Sequence, residues 1–154
     1  MNATENIKKI IIEKPLKLDC GKTISNYPIA YETYGKLSEK KDNAILAFHA
    51  LSGDQFVTGT NPITNKSGWW SYLVGPNKAI DTNKFFVICA NVIGGCMGSY
   101  GPNNIDPETN KKLGTNFPVI TINDMVNAQY NLLDFFKIDR LFSIMGGSMG
   151  GMQV

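Results

Sequence analysis

One histidine and one arginine stand in a chain of 154 residues, and each shortage removes a class of function. With His49 alone, and with Cys20, Cys89 and Cys96 in no C-x-x-C spacing, neither a zinc site nor a disulfide framework is indicated. No metal is expected, and the cysteine usage fits a reducing compartment, the cytoplasm. Fifteen basic residues, of which Arg140 is the sole arginine, face thirteen acidic ones and leave a net charge of +2. That is too little and too scattered for a phosphate-tracking surface, so no nucleic acid partner is expected. Long apolar runs are missing too. The amino-terminal Ile10-Ile11-Ile12 lies between Lys8-Lys9 and Glu13-Lys14, too short for a signal peptide or a membrane span, and no membrane association is expected.

What is present is a globular composition, 43% hydrophobic and 18% charged. A domain of this length buries roughly 68–70% of the surface its unfolded chain exposes. Residues 7–18 and 29–34 carry β-branched and aromatic runs and predict an opening hairpin or meander about Asp19-Cys20-Gly21-Lys22. Three uninterrupted apolar runs follow: Ala44-Ile45-Leu46-Ala47-Phe48, Phe85-Phe86-Val87-Ile88-Cys89-Ala90 and Leu141-Phe142-Ser143-Ile144-Met145. Such runs predict strands buried on both faces, as in a parallel sheet covered by helices. Between the second and third, Thr121-Ile122-Asn123-Asp124 reads as a helix start, and Met125, Gln129, Leu132, Leu133 and Phe136 recur at helical spacing. A shorter helix is expected from Gly68, its aromatics Trp69, Trp70 and Tyr72 serving the core. Residues 91–117 form a Gly-, Asn- and Pro-rich loop of a length that is usually functional or disordered. The order is α/β, with ligands expected at the carboxyl ends of the strands.

Gly146, Ser148 and Gly150 fit G-x-S-x-G. By composition alone the pattern recurs on the order of once in twenty chains of this size. Here it follows directly on a predicted strand, where a strand-to-helix nucleophile elbow must sit. Glycines there let neighbouring backbone pass close to a serine held in a strained turn, and the next helix aims its first amides at a developing oxyanion. A flexible linker would not follow a buried strand, and a P-loop needs a Gly-Lys-Ser/Thr that is absent. The loop after the first apolar run, His49-Ala50-Leu51-Ser52-Gly53, is placed to supply a second oxyanion amide, that of Leu51. His49 lies on the oxyanion side of such a fold and is expected to brace that loop rather than act as base. Cys96, with no base in view, reads as loop packing.

Several runs together resemble one family, homoserine O-acetyltransferase, an α/β-hydrolase-fold enzyme of methionine biosynthesis. They are His49-Ala50-Leu51-Ser52-Gly53-Asp54, Gly68-Trp69-Trp70, Gly75-Pro76, Lys78-Ala79-Ile80-Asp81-Thr82 and Phe86-Val87-Ile88-Cys89-Ala90-Asn91-Val92. They continue as Gly94-Gly95-Cys96 with Gly98-Ser99 and Gly101-Pro102, then Phe117-Pro118-Val119-Ile120-Thr121, Asp124-Met125-Val126 and Gly146-Gly147-Ser148-Met149-Gly150-Gly151-Met152-Gln153. Tyr100 stands where the family usually has a small hydroxyl residue, and Asn77 where it often has glycine.

The resemblance implies an α/β-hydrolase fold with a mostly parallel sheet and an antiparallel amino-terminal start. It makes Ser148 the nucleophile that takes acetyl from acetyl-CoA and passes it to L-homoserine. Leu51 and Met149 become the oxyanion amides, with His49, Gly147 and Gly150 in support. It also implies acetyl-CoA as co-substrate with no bound cofactor, and a homodimer. Family members are more than twice this long, so residues 1–154 are expected to be the amino-terminal part of one domain, ending after the elbow and before the acid, base and lid. Alone, the chain is expected to be inactive. The alternatives are succinyl-CoA as donor or L-serine as acceptor within the family, an esterase or thioesterase on the same fold, or a non-catalytic binding module. Generic hydrolases have no reason to carry the Gly-Gly-Cys and Gly-Trp-Trp runs.

Overall fold

Strand alternation across uninterrupted apolar runs builds the centre of the molecule, which the computed structural model describes over residues 7–154. Nine strands are present among these residues: β1 (Lys9–Ile12), β2 (Leu16–Lys17), β3 (Thr23–Ile24), β4 (Tyr27–Tyr34), β5 (Ala44–Phe48), β6 (Val74–Gly75), β7 (Ile80–Asp81), β8 (Phe86–Ala90) and β9 (Ser143–Gly146). Five form the main sheet in the order β1-β4-β8-β5-β9. The β1–β4 and β4–β8 pairs are antiparallel, whereas β5 runs parallel to both β8 and β9. The sheet is therefore antiparallel at its amino-terminal edge and parallel toward the serine turn. Asp19-Cys20-Gly21-Lys22 does turn the chain, but it joins the two-residue strands β2 and β3, while β1 pairs with β4 around that hairpin.

β5 and β8 are buried at every position. Their alternate side chains feed two cores. Ala44, Leu46, Phe48, Phe86, Ile88 and Ala90 face helix α1 (Ile122–Phe136), meeting Ala128, Leu132 and Leu133. Ile45, Ala47, Val87 and Cys89 point the other way, onto Val57, Val74, Trp69 and Trp70. α1 begins where its capping signal stands. Thr121 Oγ1 accepts from the Asp124 amide, and the Asp124 carboxylate accepts from the amides of Thr121 and Asp19. Such a cap is worth about 1 kcal/mol. It also ties the helix start to the β2–β3 turn.

Two expectations fail. Residues 69–73 are consecutive turns, not a helix: Trp69 donates to Phe56 O (3.3 Å) and Trp70 to Val57 O (2.8 Å), while Ser71 closes a single turn onto Gly68 O and Leu73 and Val74 share Trp70 O. Gly68 lies so close to that segment that a Cβ would sit 2.4 Å from the Thr58 nitrogen. Trp69, Trp70 and Leu73 do pack against the core, but Tyr72 is exposed. The third apolar run is also not buried on both faces. β9 starts two residues later than the run, pairs only with β5, and leaves Phe142 and Ile144 exposed at the sheet edge. Asn77 adopts φ 59°, a left-handed conformation that asparagine tolerates and glycine favours.

Candidate active site

All three parallel strands, β5, β8 and β9, end on one side of the sheet, and the loops leaving them meet there. Beyond β9 the chain turns at Gly147-Ser148 and enters the short helix α2 (Met149–Gln153). Ser148 holds φ 57° and ψ −126°, a conformation that costs an L-residue about 1–3 kcal/mol. Its hydroxyl is exposed and caps nothing. The turn is held by close backbone contact: a Cβ on Gly150 would lie 2.2 Å from Phe48 O, and one on Gly146 would lie 2.4 Å from Gly150 O. Gly147 is different, since a Cβ there would meet only Trp70, at 3.9 Å. α2 is further docked onto α1 through a buried amide pair, Gln129 Nε2 donating to Gln153 Oε1 at 2.9 Å.

The loop after β5 is fixed from within. Ala50 O accepts from the Gly53 amide (2.8 Å) and from His49 Nδ1 (2.7 Å). With Nδ1 carrying the proton, Nε2 accepts from the Val92 amide at 3.1 Å, and Asn91 Nδ2 lies 3.3 Å away. Both ring nitrogens are thus committed, and His49, 1% exposed, clamps the β5 loop to the β8 loop. Asn91 was not legible as a site residue in the sequence. It also accepts from the Met97 amide through Oδ1, so one buried side chain holds the start of the glycine loop.

Burial pushes the His49 imidazole below its ordinary value. The unfolded chain then takes up a proton near pH 6.5 that the folded protein refuses. The contribution of His49 to stability is complete above about pH 6.5 and is lost as pH falls below it, toward the lowered folded-state value. The thermal midpoint is expected to fall between about pH 7 and pH 5, and His49→Gln to flatten that part of the curve. Identical pH dependence in the two proteins would contradict this.

Leu51 and Met149 line one cavity of about 380 Å³, with His49, Asn91, Cys96, Phe117 and Met125 among its other walls. Neither the Leu51 nor the Met149 amide donates to an acceptor among the described residues. Across the 50–53 loop, Gly147 borders a second cavity with Ala50, Ser52, Trp69 and Trp70. Two amides without acceptors and an exposed hydroxyl at adjacent strand ends are the elements of nucleophilic acyl chemistry. Among the described residues no group of three or more His, Cys, Asp or Glu side chains is placed to hold a metal. Nor, among the described residues, is any helix long and apolar enough to cross a membrane.

Residues 43–154 match the model of the alpha/beta hydrolase fold family. The chain is 76% identical over 153 residues to homoserine O-acetyltransferase of Pelagibacter ubique, covering 99% of itself and 41% of that protein. It spans about two-fifths of the length of that curated relative. Among solved structures, esterase E22 superposes with a TM-score of 0.85 at 36% identity, over 96% of this chain and 42% of the other. Homoserine O-acetyltransferase from Bacillus anthracis superposes at 0.84 and 37%, over 95% and 40%.

Proposed function

The chain belongs to the α/β-hydrolase fold family, and from that premise we propose that it carries the nucleophile and oxyanion half of a homoserine O-acetyltransferase. The observation that carries acyl transfer is the Ser148 turn, with its left-handed backbone and exposed hydroxyl between β9 and α2. The choice of acetyl-CoA and L-homoserine rests on the 76% identity to the Pelagibacter ubique enzyme. Ser148 Oγ attacks the thioester carbonyl and gives up its proton, the amides of Leu51 and Met149 receive the oxyanion, and the C–S bond breaks so that CoA takes up that proton and leaves as the thiol. The homoserine hydroxyl then attacks the seryl ester, gives up its proton and releases O-acetylhomoserine, regenerating Ser148. His49 takes no proton in this scheme, because Val92 and Ala50 occupy its two nitrogens. The chain has no second histidine, so its 154 residues alone lack a histidine base for Ser148. With the family reading come a cytoplasmic homodimer and no bound cofactor.

Ester or thioester hydrolysis is the second reading, favoured by esterase E22, which superposes as well as the acetyltransferase does. Release of CoA from acetyl-CoA separates them, measured with and without L-homoserine on a polypeptide of the relatives' full length. Transfer predicts release that rises with homoserine and matches O-acetylhomoserine formed. Release indifferent to the acceptor means hydrolysis.

A further inference from the structure

We propose that a cavity beside the site, between Lys9 and Lys112, holds the phosphate-bearing end of the acyl donor. This rests on the acyl-CoA reading above and adds to it where the donor lies. The cavity, about 350 Å³, is lined by these two lysines, by Asn103 and Asn104, and by the backbone of the glycine loop, with no carboxylate among the described residues in its wall. Its partition from the Leu51–Met149 cavity is Gly95-Cys96, which lines both. One molecule can therefore lie across that rim, its thioester beside the free amides and its charged end between the lysines. The neighbouring cavity supplies apolar walls for the uncharged arm, through Phe117 and Met125.

Charge in this region is left unused among the described residues. The adjacent Lys8 is paired with Glu32 at 3.1 Å, whereas among the described residues neither Lys9 nor Lys112 forms an ion pair. Among the described residues Lys112 Nζ reaches only Asn103 Oδ1, at 3.4 Å. The Lys9 stem lies along Gly98, where a Cβ would sit 2.9 Å from its Cε, so the loop itself directs that ammonium toward the cavity. Gly98 has φ +110°, and the amides of Cys96 and Gly98 donate to no acceptor among the described residues. Unpaired ammonium groups beside free backbone amides are a phosphate's partners.

The test compares acetyl-CoA with acetylpantetheine, which keeps the thioester and arm but has no phosphate, as donors for a polypeptide of the relatives' full length. In the double variant Lys9→Gln/Lys112→Gln, KM for acetyl-CoA is expected to rise about ten-fold, the equivalent of about 1.4 kcal/mol. KM for acetylpantetheine, KM for homoserine and the thermal midpoint are expected to stay within about two-fold or unchanged, since both lysines are exposed. An unchanged KM for acetyl-CoA, or an equal rise with both donors, overturns the proposal. Parent protein that transfers no acetyl to homoserine fails the functional reading instead. Calorimetric titration with CoA and with pantetheine then still decides the cavity: CoA binding must weaken about ten-fold in the double variant while pantetheine binding does not, and equal CoA affinity in parent and variant overturns it.

Discussion

Ser148→Ala, in a polypeptide of the relatives' full length, is expected to lower kcat for acetyl transfer by at least about 10⁴-fold while leaving acetyl-CoA binding intact. The size follows from the chemistry: without Oγ no acyl-enzyme forms, and the amides of Leu51 and Met149, proposed as the oxyanion donors, have no tetrahedral intermediate at Ser148 to stabilise. Stability should hardly change, within about 0.5 kcal/mol, because the hydroxyl is exposed and makes no capping bond. Ser148→Gly gives a sharper contrast. It relieves the φ 57° strain, so the variant should be equally inactive yet no less stable than Ser148→Ala. Residual transfer within ten-fold of the parent would mean that another group carries the acetyl.

Gly150→Ala is expected to cost about 3 kcal/mol or more and to abolish activity with it. Its Cβ would stand 2.2 Å from Phe48 O and 2.8 Å from Phe48 C, both rigid backbone atoms of β5, so the first turn of α2 must lift off the sheet. That movement displaces the Met149 amide and Ser148 together. Gly147→Ala is the control: its Cβ meets only the Trp70 ring, at 3.9 Å, and the cost should stay below about 1 kcal/mol. Thermal or urea denaturation of the two variants reads the difference directly. Equal stability of Gly150→Ala and Gly147→Ala would show that close seating of α2 on β5 does not hold the turn.

The parts legible in the sequence are those fixed by local signals. β5 coincides with its apolar run and β8 with all but the first residue of its own. α1 starts at its Thr121 and Asp124 box, and the serine turn follows its strand directly. What local signals could not give depends on distant partners. The Gly68-Trp69-Trp70 segment is pinned to distant backbone, its amides donating to Gly59, Phe56 and Val57, and the residues after it close only single turns onto Gly68 and Trp70. Phe142 and Ile144 in the third run look like core, yet both are exposed, because among the described residues β9 lies at the sheet edge with β5 alone beside it. Asn91 stands in a run that carries the resemblance, but its role as the clamp on His49 and Met97 appears only when β5 and β8 are adjacent. Likewise Lys9 and Lys112, on β1 and in the long loop, share a cavity that no spacing announces.

The most direct measurement is the mass of the peptide containing Ser148 after the polypeptide of full length is mixed with acetyl-CoA and quenched, first without and then with L-homoserine. A seryl acyl-enzyme at the elbow predicts one added acetyl group on Ser148 that disappears on addition of homoserine, with O-acetylhomoserine appearing in equal amount. No acetyl on Ser148, or an acetyl that is lost at the same rate whether or not homoserine is present, contradicts it.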